Sequence, residues 1–192
     1  MRTLIIATAV IAMSFTMADT APTWSLDKSH ASLEFGITHL GLSEVKGRFT
    51  NFDVKITGGT KTDFSDISAT MTAQTSSIST GDEGRDNHLK GAEFFNAETN
   101  KEITFKTTAV KSAGKGKLKV TGDLTMNGVT KAATLDVEPK GAIDHPYTKK
   151  KAAGFKVTGK IKRSDYKFGP ASMAGALSDD VNIYANFEVS KD

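Results

Sequence analysis

Between Thr80 and Phe95 the chain reads T-G-D-E-G-R-D-N-H-L-K-G-A-E-F-F, which places a guanidinium, a carboxylate and an imidazole beside two aromatic rings. Arg85 and His88 are three residues apart, so a helix would put them on one face, with Leu89 anchoring the same side. An Arg beside a His suits a phosphate or a carboxylate, and Asp86 could orient either one. The same residues also fit a surface cap, with Arg85 paired to Asp86 or Asp82 and His88 satisfied by backbone. Spacing alone leaves both roles open. Thr80 and Glu83 fit a capping box with Thr80 as N-cap, and Gly91 fits the position just after the C-cap. A short helix is therefore predicted near residues 81–90.

Other chemistry finds little support. The four histidines are His30, His39, His88 and His145, and none is spaced as H-x-H or H-x-x-x-H. His30 and His39 are nine apart, so on one continuous strand they would face opposite sides. Without convergent ligands no metal site is expected. The chain has no Cys, hence no thiolate nucleophile, and it lacks a G-x-S-x-G elbow and a glycine-rich phosphate loop. Neither a catalytic residue nor a cofactor is expected. An enzyme acting on a head group through His88 and Asp86 is the alternative to a binding protein.

The segments that must position these residues alternate with period two, as half-buried strands do. Leu33, Phe35 and Ile37 form one such row. Others are Ile67 to Ala73, Ile103 to Ala109, Leu118 to Met126, Ala133 to Val137, Phe155 to Ile161 and Val181 to Val189. From Val45 to Ile56 the apolar positions change parity, which predicts a bulge near Asn51. Asn127-Gly128 is the strongest hairpin signal, and Gly58-Gly59 and Gly114-Lys115-Gly116 mark two more turns. With Trp24 to Asp27 as a first short strand, the pattern predicts an all-β fold. It is a single antiparallel up-and-down barrel of about eight strands, closed to remove its edges.

The inward rows carry Gly47, Gly122 and Gly159, with Ala69, Ala73, Ala109, Ala133 and Ala185. Small inward residues suggest an unfilled, apolar interior able to hold one ligand. The glycines equally fit strand bending, and a barrel filled by side chains would make the chain a structural module. The cavity-lining candidates are Phe35, Ile37, Phe49, Met71, Phe94, Phe95, Phe105, Leu124, Phe155 and Phe187.

Met1-Arg2, the apolar run from Thr3 to Phe15 and the small residues before Asp19 have the layout of a secretory signal peptide cleaved near Ala18. Residues 19–192 would then form one exported domain. Export without disulfides suits the periplasm and a core large enough to need no staples. A net charge of +3 with no basic stripe gives no reason to expect nucleic acid. The run Lys149 to Lys151 reads as a solvated loop tip.

Several ordered motifs resemble the YceI-like family. They are Trp24-x-Leu26-Asp27-x-x-His30, Leu33-x-Phe35-x-Ile37-x-His39, Gly47-Arg48-Phe49, and Arg85-Asp86-Asn87-His88-Leu89 with Phe94-Phe95. Gly122-Asp123-Leu124-Thr125-Met126-Asn127-Gly128-Val129-Thr130-Lys131, Arg163-Ser164-Asp165-Tyr166 and Val181-x-Ile183 follow in the same order. Ala31 stands where the family often has Ser. The resemblance implies a lipocalin-like barrel in an exported bacterial protein, without assigned catalysis and in some members a homodimer. It implies an isoprenoid, a quinone or another long-chain lipid as ligand. It also places Arg85, Asp86 and His88 at the ligand's polar end.

Overall fold

A computed structural model describes residues 21–192, so the expected signal peptide at residues 1–18 lies outside the described residues. The strands are β1 (Thr23–His39), β2 (Ser43–Phe49), β3 (Phe52–Thr57), β4 (Ser68–Gln74), β5 (Ile78–Ser79), β6 (Glu102–Gly114), β7 (Lys117–Met126), β8 (Val129–Asp144), β9 (Lys151–Lys162) and β10 (Leu177–Lys191). One α-helix, α1 (Glu83–Lys90), is present among the described residues and follows β5. Neighbours pair antiparallel in chain order, and β10 pairs with β1 to close the barrel.

The two short pairs β2–β3 and β4–β5 are each one bent strand, so the closed barrel counts eight. The parity change of the sequence falls at this bend: β2 stops at Phe49 and β3 starts at Phe52. The facing bend at Thr75–Ser77 locks it. Gln74 N–H donates to Asn51 O at 2.9 Å, Thr50 N–H to Ser77 O at 3.1 Å, and Asn51 N–H to Ser77 Oγ at 3.1 Å. The bends thus leave their backbone groups satisfied.

β1 departs from expectation in the other direction. Trp24–Asp27 and Leu33–Ile37 belong to one strand of 17 residues. Its register against β10 jumps from Asp27↔Glu188 to Ala31↔Phe187, so Lys28, Ser29 and His30 bulge outward. Asp27 Oδ1 accepts from Ser29 N–H at 2.9 Å and holds this bulge. The Asn127-Gly128 turn forms as predicted: Met126 pairs with Val129, and φ is 51° and 69° at the two central residues.

One end of the barrel is packed. Trp24, Ile56, Leu118, Val120, Val137, Phe155, Val157, Phe187 and Val189 are all buried there. The loop from Gly58 to Ile67 seals that end by inserting Phe64, whose ring meets Trp24 at 5.9 Å and Phe155 at 5.1 Å. Phe64 has φ 56°, a left-handed conformation costing about 1–2 kcal/mol. Burying its ring returns about 1.5–3 kcal/mol. The opposite end carries α1, the β1–β2 and β7–β8 turns and the 163–176 connection.

Candidate functional site

The α1 end of the barrel is hollow. A cavity of about 360 Å³ is bordered by Leu33, Phe35, Ile37 and Phe49 from one side and by Met71, Ile103, Phe105, Leu124 and Met126 from the other. Ala133, Leu135, Ile161, Val181 and Ile183 add to the wall, and Glu34 and His39 also border it. Nearly all of these are apolar, so the cavity suits an apolar chain, and its volume lies in the range of small-molecule sites.

Its roof is an aromatic row. Phe94 and Phe95 are both buried, and their carbonyls accept from Asn127 Nδ2 at 2.6 Å and Asn100 Nδ2 at 3.1 Å. Phe168 packs on Phe94 and Phe95 with ring centroids at 5.3 and 4.5 Å. Phe95 meets Phe49 at 5.7 Å, and Phe49 meets Phe35 at 5.9 Å. The 163–176 connection is tied in by Gly169 N–H donating to Glu93 O at 3.0 Å.

The polar candidates stand at the rim. The N-cap of α1 is Asp82, whose Oδ1 accepts from Arg85 N–H at 2.8 Å, and not Thr80. Thr80 sits two residues earlier because Gly81, at φ 80°, turns the chain before the helix starts. Gly91 is itself the C-cap, with extended backbone, so the expected left-handed ending does not form. Thr80 instead joins the rim residues. Its hydroxyl bonds to Asp86 Oδ1 at 2.6 Å and accepts from Arg85 Nε at 2.7 Å, while Arg85 Nη2 donates to Thr80 O at 2.9 Å. Asp86 therefore orients Arg85 through Thr80. His88 lies elsewhere, with its ring 4.9 Å from Phe94 and Nε2 3.6 Å from Glu93 Oε2. Asp86 and His88 are not brought together as a pair. Arg85 and His88 both border the cavity and both are exposed.

Of the ten apolar candidates, Phe35, Ile37, Phe49, Met71, Phe94, Phe95, Phe105 and Leu124 border the cavity. Phe155 and Phe187 do not. They stack at 5.5 Å in the sealed end, because the register places them level with Trp24 and Phe64. The glycines also act differently from the expectation of open space. A Cβ at Gly47 would stand 2.4 Å from Phe35 Cζ, one at Gly122 2.4 Å from Phe105 Cζ, and one at Gly159 2.4 Å from Leu135 Cδ2. Each glycine accepts a neighbour's side chain folded across it. Of the inward alanines, Ala73 and Ala133 do border the cavity.

Sequence reasoning missed Arg163 as a site residue. It is the only buried charged side chain among the described residues, 6% exposed, and it borders the cavity. A second unforeseen group is Asp27, His30 and Glu188 at the β1 bulge, whose ligand-capable atoms lie within 4.8 Å of one another. It is on the outer surface, and only the β1–β10 register brings Glu188 to it. Asp27 is held at about 2 by hydrogen bonds from Ser29 and His30, and His30 is raised by its bond to Asp27.

A family model for the YceI-like domain matches residues 24–189. A UPF0312 protein of Staphylococcus aureus (strain MSSA476) is 42% identical over 171 residues, covering 87% of this chain and 96% of its own. Among solved structures, the Campylobacter jejuni YCEI protein aligns with TM-score 0.70 and 28% identity over 100% of this chain and 99% of its own. Burkholderia cenocepacia BcnA aligns with TM-score 0.75 and 23% identity over 85% of this chain and 98% of its own. A polyisoprenoid binding domain from Saccharophagus degradans aligns with TM-score 0.62 and 17% identity, covering 91% of this chain and 100% of its own. The last two speak to the fold.

Proposed function

Because the chain belongs to the YceI-like family, we propose that it is an exported, periplasmic binding protein that sequesters or carries a long-chain amphiphile by burial, without covalent chemistry. The observation that carries this reading is the half-hollow barrel, walled by apolar side chains and roofed by Phe94, Phe95 and Phe168. Each methylene moved from water into such a wall contributes about 0.8 kcal/mol, before the costs of ordering the chain. A polyisoprenoid is the favoured ligand class, since a fold neighbour is described as a polyisoprenoid binding domain. Quinones and other long-chain lipids share the chemistry. Arg85 and His88 border the cavity at the α1 rim, the mouth through which the ligand enters.

Titration of a fluorescent polyene displaced by prenyl alcohols of increasing length tests this reading. Affinity should rise with each isoprene unit until the cavity is full, then level off. Failure of every prenyl alcohol, quinone and long-chain amide to displace the probe would overturn it.

A further inference from the structure

Arg163 follows β9 and opens the connection that roofs the cavity. Its Nε donates to Ser178 O at 3.1 Å and its Nη1 to Phe168 O at 3.1 Å. Both acceptors are neutral carbonyls. No carboxylate forms an ion pair with it among the described residues; the nearby Asp179 is taken up by Ser164, at 2.9 Å from both its N–H and its Oγ, and by Lys162. Nη2 has no hydrogen-bond partner among the described residues. No fully buried side-chain nitrogen or oxygen there lacks a partner, so Nη2 keeps some accessible surface. The open space that Arg163 borders is the cavity.

Burying a charge with no directly bonded counter-charge is costly. Two carbonyls, together with the through-space attraction of Asp179, whose carboxyl is held low by Ser164 and in part by Arg163, offset only part of that cost. The guanidinium cannot escape by losing its proton. It also presents a planar fork of donors suited to an oxyanion. We propose that Arg163 is the seat of the ligand's head group, and that the head group is anionic, a carboxylate or a phosphate monoester on a long apolar chain. This rests on the chain-binding reading above and sharpens it. Arg85 at the rim is exposed and already bonded twice to Thr80, whereas Arg163 is shielded from water and keeps a free edge. The head group thus turns inward beneath Phe168 and does not remain at the rim. A charge-assisted bond in this dry setting exceeds the same bond in solvent.

The test compares ligands sharing one chain and differing in head group: geranylgeranyl phosphate against geranylgeraniol, and oleate against oleyl alcohol. Wild type should bind each anion at least tenfold more tightly than its alcohol. Arg163→Met should bring both ratios near one, and Arg163→Lys should keep part of the preference. Arg85→Ala should change the ratios less than Arg163→Met does. Preference for the phosphate alone, or for oleate alone, identifies which anion the seat serves.

Equal wild-type affinity for anion and alcohol overturns the inference and leaves chain binding intact, and this arm needs no variant. Arg163→Met that weakens anion and alcohol alike assigns Arg163 to holding the roof and also overturns it. If neither member of either pair binds wild type, the chain-binding reading falls and takes this inference with it.

Discussion

The two halves of the barrel are built from the same eight strands and end in opposite states. At the sealed end, rings from β1, β9, β10 and the 58–67 loop meet across the axis: Trp24, Phe64, Phe155 and Phe187 touch in sequence. At the α1 end the same strands carry Ile37, Met71, Leu124, Ile161 and Ile183, which leave about 360 Å³ between them. The inward residues are equally apolar in both halves. What differs is that the inserted Phe64 closes one end, whereas at the other Gly47 and Gly122 let Phe35 and Phe105 fold against the wall. Stability and binding should therefore separate along the barrel axis.

The largest effect expected is at the sealed end. Phe155→Ala removes a ring buried to 1% exposure, and such truncations cost about 3–5 kcal/mol. Urea unfolding should show that loss, while the affinity of the remaining folded protein for a prenyl alcohol changes little. A matching loss of affinity would mean that the halves are coupled.

The converse change lies at the hollow end. Ile183→Trp adds bulk at a partly exposed cavity wall position and should lower affinity at least tenfold. Its stability should move by no more than the roughly 1–3 kcal/mol that overpacking brings. Gly122→Leu does not serve as the same test, because its Cβ would also stand 2.6 Å from Lys106 O. It should destabilise the fold instead of merely filling space.

A smaller effect concerns the rim. Asp86→Ala removes the acceptor of both Thr80 N–H and Thr80 Oγ and should cost about 1–2 kcal/mol. Arg85 should then lose its fixed orientation, readable as faster amide exchange across α1.

The smallest effect is at the β1 bulge. A raised His30 stabilises below its ordinary value of 6.5 and ceases to do so as pH rises through its raised value. A lowered Asp27 stabilises above its ordinary 3.8 and loses that as pH falls toward about 2. The Tm difference between wild type and His30→Ala should be small. It should be present between about pH 4 and 6 and gone by about pH 9. A difference that persists at the alkaline end would assign His30 a packing role.

Much of the fold was legible because strand periodicity reports which way a side chain faces. The alternating rows do point inward except at Ala109, which is exposed because a register shift after Thr107 turns Val110 to the core in its place, and Asn127-Gly128 and the break near Asn51 mark a turn and a bend that exist. Periodicity does not report height along the axis. Phe105 and Phe155 look alike in sequence, yet Phe105 pairs near Leu124 at the cavity and Phe155 opposite Phe187 at the sealed end. That height is set by register and by the three-residue bulge at Lys28–His30. The merging of Trp24–Asp27 with Leu33–Ile37 was hidden for the same reason. Arg85 and His88 stand together in the sequence, as they do along the cavity rim, because local helix spacing carries them. Arg163 carries no such local signal, since its burial depends on Phe168 and Ser178 meeting it through the fold. Thr80 was read as a cap because its sequence offset from Glu83 fits one, and Gly81 redirected the chain.

The most direct test of the central claim, that the α1 half of the barrel is a lipid chamber, is native mass spectrometry of the full chain after export from a bacterial host. Wild type should carry one non-covalent adduct that organic extraction releases chemically unchanged as a long-chain amphiphile. Ile183→Trp should fly folded and without it. A wild-type protein that emerges without an adduct and takes up none from a panel of prenyl phosphates, prenyl alcohols and quinones would contradict the account.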